Sequence, residues 1–465
     1  MEPRTTIMQP KIKLAAIAKN EGAYIPQWIF HHLKVGFDQI EIWINGTTDN
    51  SLKIIEEISA HNPGKLVVRN ADSLLEECKT RSVNFQIETY AKVFAETKAS
   101  GEFTHIFFLD LDEYWISLDP SISIKDFITR QKNFDTVSFQ WLIDIPNYER
   151  DIFTPILSEE NILQKDRHVK TLIAFSDKKT KILIHNSIVD GGITLLGNGD
   201  ELVETHPEQE HKQKVSNEYF NETKKNIEPF FILHLVYKSQ AEYVASLMRG
   251  RVHVNDTNIF KLNRFGYSPY VNDDQLLIHF PASHIQDYNK EYEDFLSGNN
   301  LRALLKDAQR FVYEKCNRVL DLLDQDPSLL GTHDQQLRGV QLQKLEDTRL
   351  KSESPYYHID VIKLFTDVLD VRGWIHDPLS SDRIQIEVIT HPSNKVSVEM
   401  VERPDVLNVH PDAHLDCGFK ISITLDSSEL GTLNLTELPF KIHAKNRHFS
   451  CELKTGKTIT VVHPE

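Results

Sequence analysis

Long apolar runs are missing from this 465-residue chain. The longest candidate, FFILHLVY at 230–237, is interrupted by a histidine and falls far short of the ~20 residues that a membrane span needs. The N-terminal stretch MEPRTTIMQPKIK has no apolar segment of signal-peptide type. Neither insertion nor export is therefore expected, and the expected location is cytoplasmic, with peripheral docking at the inner face of the plasma membrane left open. Cysteine is scarce: Cys78, Cys316, Cys417 and Cys451 stand far apart with no CxxC pair, which suits neither a zinc site nor a disulfide scaffold. Glycine (18) and proline (19) are too few for a collagen-like or low-complexity chain. Basic residues are also short, 52 Lys and Arg against 68 Asp and Glu, a formal charge of −16. That sign excludes a general nucleic-acid binder and requires any anionic ligand to be met locally, by a metal or a few placed cations.

What is present is a globular composition, 40% apolar and 26% charged. At this length two or three domains are expected. From residue 11 to 110 the text alternates strand and helix: KIKLAAIA, then a helix with Ile25, Trp28, Ile29 and Leu33 on one face, then QIEIWI, a helix from Ser51, KLVVR, a longer helix with Val83, Ile87, Tyr90 and Phe94, and THIFFL. Such alternation predicts an α/β domain with a mostly parallel sheet covered by helices. Ligands of such sheets sit outside the carboxyl ends of the strands, which directs attention to KNEG (19–22), NGTTDNS (45–51) and DLDEY (110–114). Residues 291–352 read as a charged helical connector, with Leu301, Leu304, Leu305, Ala308, Phe311 and Val312 on one face. Residues 353–465 change to short alternating runs separated by turn residues and read as a β-sandwich.

The sharpest chemical feature is FFLDLDEYW. Asp110, Asp112 and Glu113 follow directly on an apolar strand, and a divalent cation would relieve their mutual repulsion; hard oxygen ligands suit Mg²⁺ or Mn²⁺. The bland alternative is a solvated acidic turn. His234, alone in its apolar strand, reads from the residue itself as a satisfied core histidine.

Taken together, AIAKNEGAYIPQWIFHHLKVGFDQIEIWINGTTDNS, FFLDLDEYW, RHVKTLIAF (167–175), ILIHN (182–186) and HLVYKSQAEYVASLMRG (234–250) resemble the family 2-like and family 92-like glycosyltransferases of the GT-A fold over roughly residues 11–290. The resemblance implies a GT-A catalytic domain over 1–290. Its activity would be a metal-dependent, inverting transfer of a sugar from a nucleotide-sugar donor, UDP by default, to a glycan or lipid-linked acceptor, as in bacterial surface polysaccharide or lipopolysaccharide synthesis. It implies Mn²⁺ or Mg²⁺ held by Asp112, Asp110 and His234. It gives donor contacts to Asn20, Glu21, Asp49, Asp110 and Lys238, with an ordinary turn or helix cap as the alternative for Asn20, Glu21 and Asp49; Arg81 and Gln86, on the helix before DLDEY, face either the donor or solvent. For the base that takes the acceptor proton, Glu113, Asp144, Asp190 and His185 are all candidates. Two departures stand out: Ile44 replaces the aspartate many relatives carry before Asn-Gly, and WLIDIPN (141–147) replaces an aromatic-Gly segment. GWIHDP, RPDV and CGFKISI in the last domain resemble a module often appended to bacterial glycosyltransferases; there Trp374 reads as core, and Arg403 with Asp405 as a structural turn pair. Two alternatives are a sugar-phosphate nucleotidyltransferase, for which the Gly-rich basic first loop is missing, and a non-catalytic glycan-binding scaffold.

Overall fold

Each apolar run becomes a strand, and the helices between them bury one face. The computed structural model describes residues 9–131, 133–202, 227, 229–248, 259–269, 274–297, 300–345, 355–377, 383–410, 413–431, 433–435, 438–446 and 450–462. In chain order the first elements are β1 (Ile12–Ala18), α1 (Ile25–Lys34), β2 (Gln39–Ile44), α2 (Ser51–His61), β3 (Leu66–Asn70), α3 (Asp72–Arg81), α4 (Phe85–Ser100) and β4 (His105–Phe108). They are followed by β5 (Glu113–Ser117), α5 (Ile124–Arg130), β6 (Thr136–Asp144), β7 (Glu160–Ala174), β8 (Thr180–Lys181), β9 (Ile188–Val189), β10 (Thr194–Leu196), β11 (Phe230–His234) and β12 (Gln275–His279). The chain divides into two units, Met1–Leu301 with Phe311–Leu342, and Arg302–Arg310 with Gln343–Glu465.

The first unit is mixed α/β. Its ten-stranded sheet has the order β3-β2-β1-β4-β7-β6-β11-β5, with β10 on β6 and β12 on β7. The half made of β3, β2, β1 and β4 is parallel, as the strand–helix alternation requires. Beyond β4 the sheet is mixed: β7 runs antiparallel to β4 and β6, β5 runs antiparallel to β11, and β6 and β11 are parallel. The expectation of a mostly parallel sheet therefore holds for half of it only. The reason is local: only four residues separate β4 from β5, too few for a helical crossover. The carboxyl ends of β1, β2, β4, β6 and β11 share one edge, and that edge carries the site.

The HH of the first helix is structural. His31 accepts from or donates to Tyr288 Oη at Nδ1 (3.1 Å) and meets the Trp115 carbonyl at Nε2 (2.9 Å), while His32 Nδ1 lies 2.8 Å from the Trp28 carbonyl. Burial pushes the His31 imidazole down to about 4 despite its bond to Trp115, and burial does the same to His105, also to about 4. The unfolded chain, whose histidines titrate near 6.5, binds these protons first, so stability is complete above 6.5 and is lost as pH falls toward about 4. His31 alone contributes up to about 3 kcal/mol to this loss. Urea midpoints should fall across that window, the loss offset in part by Glu113, whose raised value makes it take up a proton on folding there; midpoints that rise as pH falls from 6.5 to 4 would contradict the buried neutral histidines.

The 25-residue helix Leu301–Gln325 lies in the segment read as a connector, followed by the short helices Leu329–Thr332 and Asp334–Leu337; residues 346–354 lie outside the described residues. The second unit holds β13 (Tyr356–Phe365), β14 (Val368–His376), β15 (Gln385–Thr390), β16 (Lys395–Val401), β17 (Gly418–Thr424), β18 (Phe440–Lys445), β19 (Ser450–Glu452) and β20 (Thr460–Val462). They form a five-stranded sheet, β16-β17-β14-β13-β20, and a three-stranded sheet, β15-β18-β19. Both contribute to one apolar core that includes Leu369, Val371, Phe419, Ile421 and Ile442. Trp374 packs half-buried beside Val406, Ala413 and Cys417. Arg403 binds both Asp405 (2.6 Å) and Asp360 (2.6 Å), which makes it a link between strand and turn.

Candidate active site

The site begins with a register. β11 pairs with β5 so that His234 stands opposite Glu113, and the Leu235 amide donates to the Asp112 carbonyl (2.8 Å). Trp28 of α1 closes the acidic turn from below, its Nε1–H shared between the carbonyls of Asp110 (3.0 Å) and Glu113 (2.9 Å). The DLDEY turn is thus held by its backbone, which leaves its carboxylates for other work.

Those carboxylates divide into two groups. Lys170, in the middle of β7 and 0% exposed, places Nζ 2.9 Å from Asp110 Oδ2 and 3.1 Å from Glu113 Oε2. Asp110 Oδ1 accepts from Gln86 Nε2 (3.2 Å) and Tyr90 Oη (3.3 Å), and the Asp110 amide donates to Glu113 Oε2 (2.9 Å). Burial alone would raise Asp110, but the Lys170 ammonium and its hydrogen bond outweigh that and hold it below the usual carboxylate range. Glu113 is fully buried and is pushed up to about 7, burial and Asp110 exceeding the pull of Lys170; its Oε1 has no hydrogen-bond partner among the described residues. The opposing charges drive Lys170 up in spite of its burial.

Asp112 belongs to the second group and lines the cleft described below. Its Oδ2 lies 3.7 Å from His234 Nε2. Burial opposes protonation of His234, but Asp112, with Glu113 and Asp110 behind it, leaves the imidazole above its ordinary value. Trp141 anchors the histidines of this region: its ring centroid lies 4.2 Å from that of His234, 5.2 Å from His185 and 4.7 Å from His168. His185, buried beside the Lys170 charge, is pushed down to about 3 and is a neutral imidazole at physiological pH.

The cleft at this edge offers roughly 520 Å³ of space open to solvent, and among its lining residues are Asn20, Glu21, Tyr24, Asp112, Lys238 and Arg264. Lys315 adds a third cation. Two non-glycine residues in its wall adopt the left-handed conformation, Asn20 (φ 55°) and Lys238 (φ 53°). Asparagine accepts that region readily, whereas for lysine it is a strain that surrounding bonds must hold. Asp144 supplies them: its Oδ1 accepts from the Tyr237 amide (3.0 Å) and its Oδ2 from the Lys238 amide (2.6 Å) and Arg150 (3.0 Å). The result sets Lys238 Nζ 3.2 Å from the centre of the Tyr24 ring.

Of the residues singled out from sequence, Asn20, Glu21, Asp112 and Lys238 meet at the cleft, with His234, Asp110, Glu113 and His185 directly behind. Gln86 reaches Asp110. Asp49 stands behind the wall: its Oδ2 accepts from the Gly22 amide (2.9 Å) and its Oδ1 from Ser51 (2.6 Å), which ties the second-strand loop to the first. Asn20 Oδ1 makes the same tie through the Thr48 amide (2.7 Å). Arg81 is not at the site; it is exposed and paired with Glu77 (2.9 Å) and Glu88 (3.4 Å) along its own surface. Asp144 has both oxygens committed to the 237–238 turn and acts as its holder. Asp190 is exposed beside Gly191 in the hairpin that packs at the amino end of β6, whereas Asp144 ends that strand, so the two lie at opposite ends of the sheet. Sequence alone assigns Lys170 no role, although a lysine inside HVKTLIA is the visible anomaly; Trp28, Tyr90 and Trp141 carry no signal beyond that of core aromatics.

No family model matches the chain, and no curated protein matches it.

Proposed function

We propose that this protein is a metal-dependent, inverting glycosyltransferase of the GT-A type that moves a sugar from a nucleotide-sugar donor to a glycan or lipid-linked acceptor, in surface polysaccharide or lipopolysaccharide synthesis on the cytoplasmic side of a bacterial membrane. One observation carries the reading. At the carboxyl ends of the parallel strands, where α/β sheets bind ligands, a single cleft gathers Asp112, Asn20, Glu21 and three cations in a chain whose net charge is strongly negative. Lys238, Arg264 and Lys315 are the locally placed positive charges that a diphosphate needs.

The donor set fits a divalent cation shared with such a substrate. Among the described residues no group of three or more His, Cys, Asp or Glu side chains is arranged for a metal ion. Lys170 already pairs with Asp110 and Glu113, which leaves Asp112 and His234 as the direct protein ligands and gives Asp110 the task of holding the turn. Two protein ligands are what a cation completed by phosphate oxygens and water requires, and an imidazole beside a carboxylate suits Mn²⁺ better than Mg²⁺. When bound, that cation supplies Lewis-acid stabilisation of the diphosphate leaving group. The chain's own residues do the rest: Asn20 and Glu21 shape the entrance, Trp28 fixes the acidic turn, and Asp144 holds Lys238 over the cleft. For the acceptor proton, Glu113 and His185 remain beside the cleft.

The test is a donor screen that measures nucleotide release from sugar nucleotides with and without Mn²⁺ and a candidate acceptor. Sugar- and Mn²⁺-dependent release is expected. Pyrophosphate formation from a nucleoside triphosphate and a sugar phosphate would replace this reading with that of a nucleotidyltransferase.

A further inference from the structure

We infer that β16 is a dimerisation edge, which pairs antiparallel with the β16 of a second copy of this chain about a two-fold axis at Ser397. The strand ends its sheet, with β17 on one side and no strand paired to the other among the described residues. Its register sets Val396 opposite Ile423, Val398 opposite Ile421 and Met400 opposite Phe419. Those three partners are fully buried in the core, and cross-strand partners point to the same face. Val396, Val398 and Met400 therefore lie on the core side of the sheet, yet they remain 40%, 39% and 39% exposed.

Natural edge strands are usually blocked by charge, proline or a bulge. β16 has no proline and no break in its register with β17, and its two charges are placed so that a copy of itself satisfies them. With the axis at Ser397, Lys395 stands opposite Glu399 of the second copy and Glu399 opposite its Lys395. Val396 meets Val398 in the same way. Neither Lys395 nor Glu399 has a salt-bridge partner among the described residues. Other registers forfeit this match: an axis at Val398 sets Lys395 against Val401 and Glu399 against Ser397, and parallel in-register pairing sets like charges on each other, which is destabilising. The antiparallel pair at Ser397 is isologous, so it closes as a dimer and does not propagate. It would join the two apolar flanks into one continuous inner surface and supply the missing hydrogen bonds of both edges.

The test is the mass of the full chain by light scattering and sedimentation over a concentration series. The mass should rise from 53.7 kDa toward twice that value as concentration increases. Lys395→Glu should suppress the rise by placing Glu against Glu399, and Lys395→Glu with Glu399→Lys should restore it. Ser397→Cys, which faces its own copy across the axis, should give a disulfide-linked dimer on non-reducing gels under mild oxidation, with Val398→Cys giving far less. A chain that stays at 53.7 kDa throughout, or a dimer indifferent to both charge variants and to the position of the cysteine, overturns the proposal.

Discussion

Lys170→Met is expected to lower the stability of the first unit by about 3–5 kcal/mol, the range found when one partner of a buried ion pair is removed. The side chain is fully enclosed and its ammonium is the common partner of Asp110 and Glu113. Methionine keeps the length and apolar stem, so the loss reports on charge more than on volume. Without the ammonium, Glu113, already pushed up to about 7, stays protonated at neutral pH, and Asp110 is left as the charge that nothing balances. The double variant Lys170→Met with Asp110→Asn should therefore recover most of the lost stability, since the introduced amide is neutral and keeps an oxygen for Gln86 and Tyr90. Four of the five tryptophans lie in the first unit, so urea unfolding followed by fluorescence reads this transition. Equal instability of the single and double variants would show that packing, not charge balance, explains the burial of Lys170.

The sequence disclosed the parallel half of the sheet because each strand there is a short apolar run followed by a helix with one apolar face. β7 escaped for the opposite reason: over its fifteen residues, ENILQKDRHVKTLIA, polar and apolar positions follow no period of two, because a register shift against β6 and the buried Lys170 interrupt it. Asn20, Glu21 and Asp112 can be singled out because they follow strands whose carboxyl ends share one edge, whereas Lys238 and His234 come only from the resemblance. For Arg81 the sequence leaves cleft and solvent both open, because a partial rotation about the helix axis decides between them; two glutamates hold it on the solvent side. Asp190 was unreadable in another sense, since only the β8–β9 hairpin determines which end of β6 it visits. Lysine is so commonly exposed that its position in the chain alone gives no hint of a partner 60 residues away.

Asp112→Asn is expected to reduce Mn²⁺-dependent sugar transfer by roughly 10²–10³-fold, comparable to the removal of one preorganised electrostatic group from an active site. The substitution keeps the size of the side chain, and the turn should hold because its backbone is bonded to Trp28 and Leu235 independently of the Asp112 carboxylate. The melting curve should consequently stay near that of the wild type. A second readout separates a lost ligand from a lost fold. Asp112 is the first group holding the His234 imidazole above its ordinary value against the cost of burial, so a neutral amide at this position must let that value fall. An NMR titration of His234 should thus move to lower pH in the variant, with no catalysis required for the measurement. A fallen His234 titration with intact transfer would confirm the Asp112–His234 contact and remove Asp112 from the chemistry. Lost transfer with an unmoved titration would place Asp112 on the substrate and leave His234 to the Trp141 cluster. Only the joint outcome, transfer lost and titration lowered at near-normal stability, matches a carboxylate and an imidazole that face one cation across 3.7 Å.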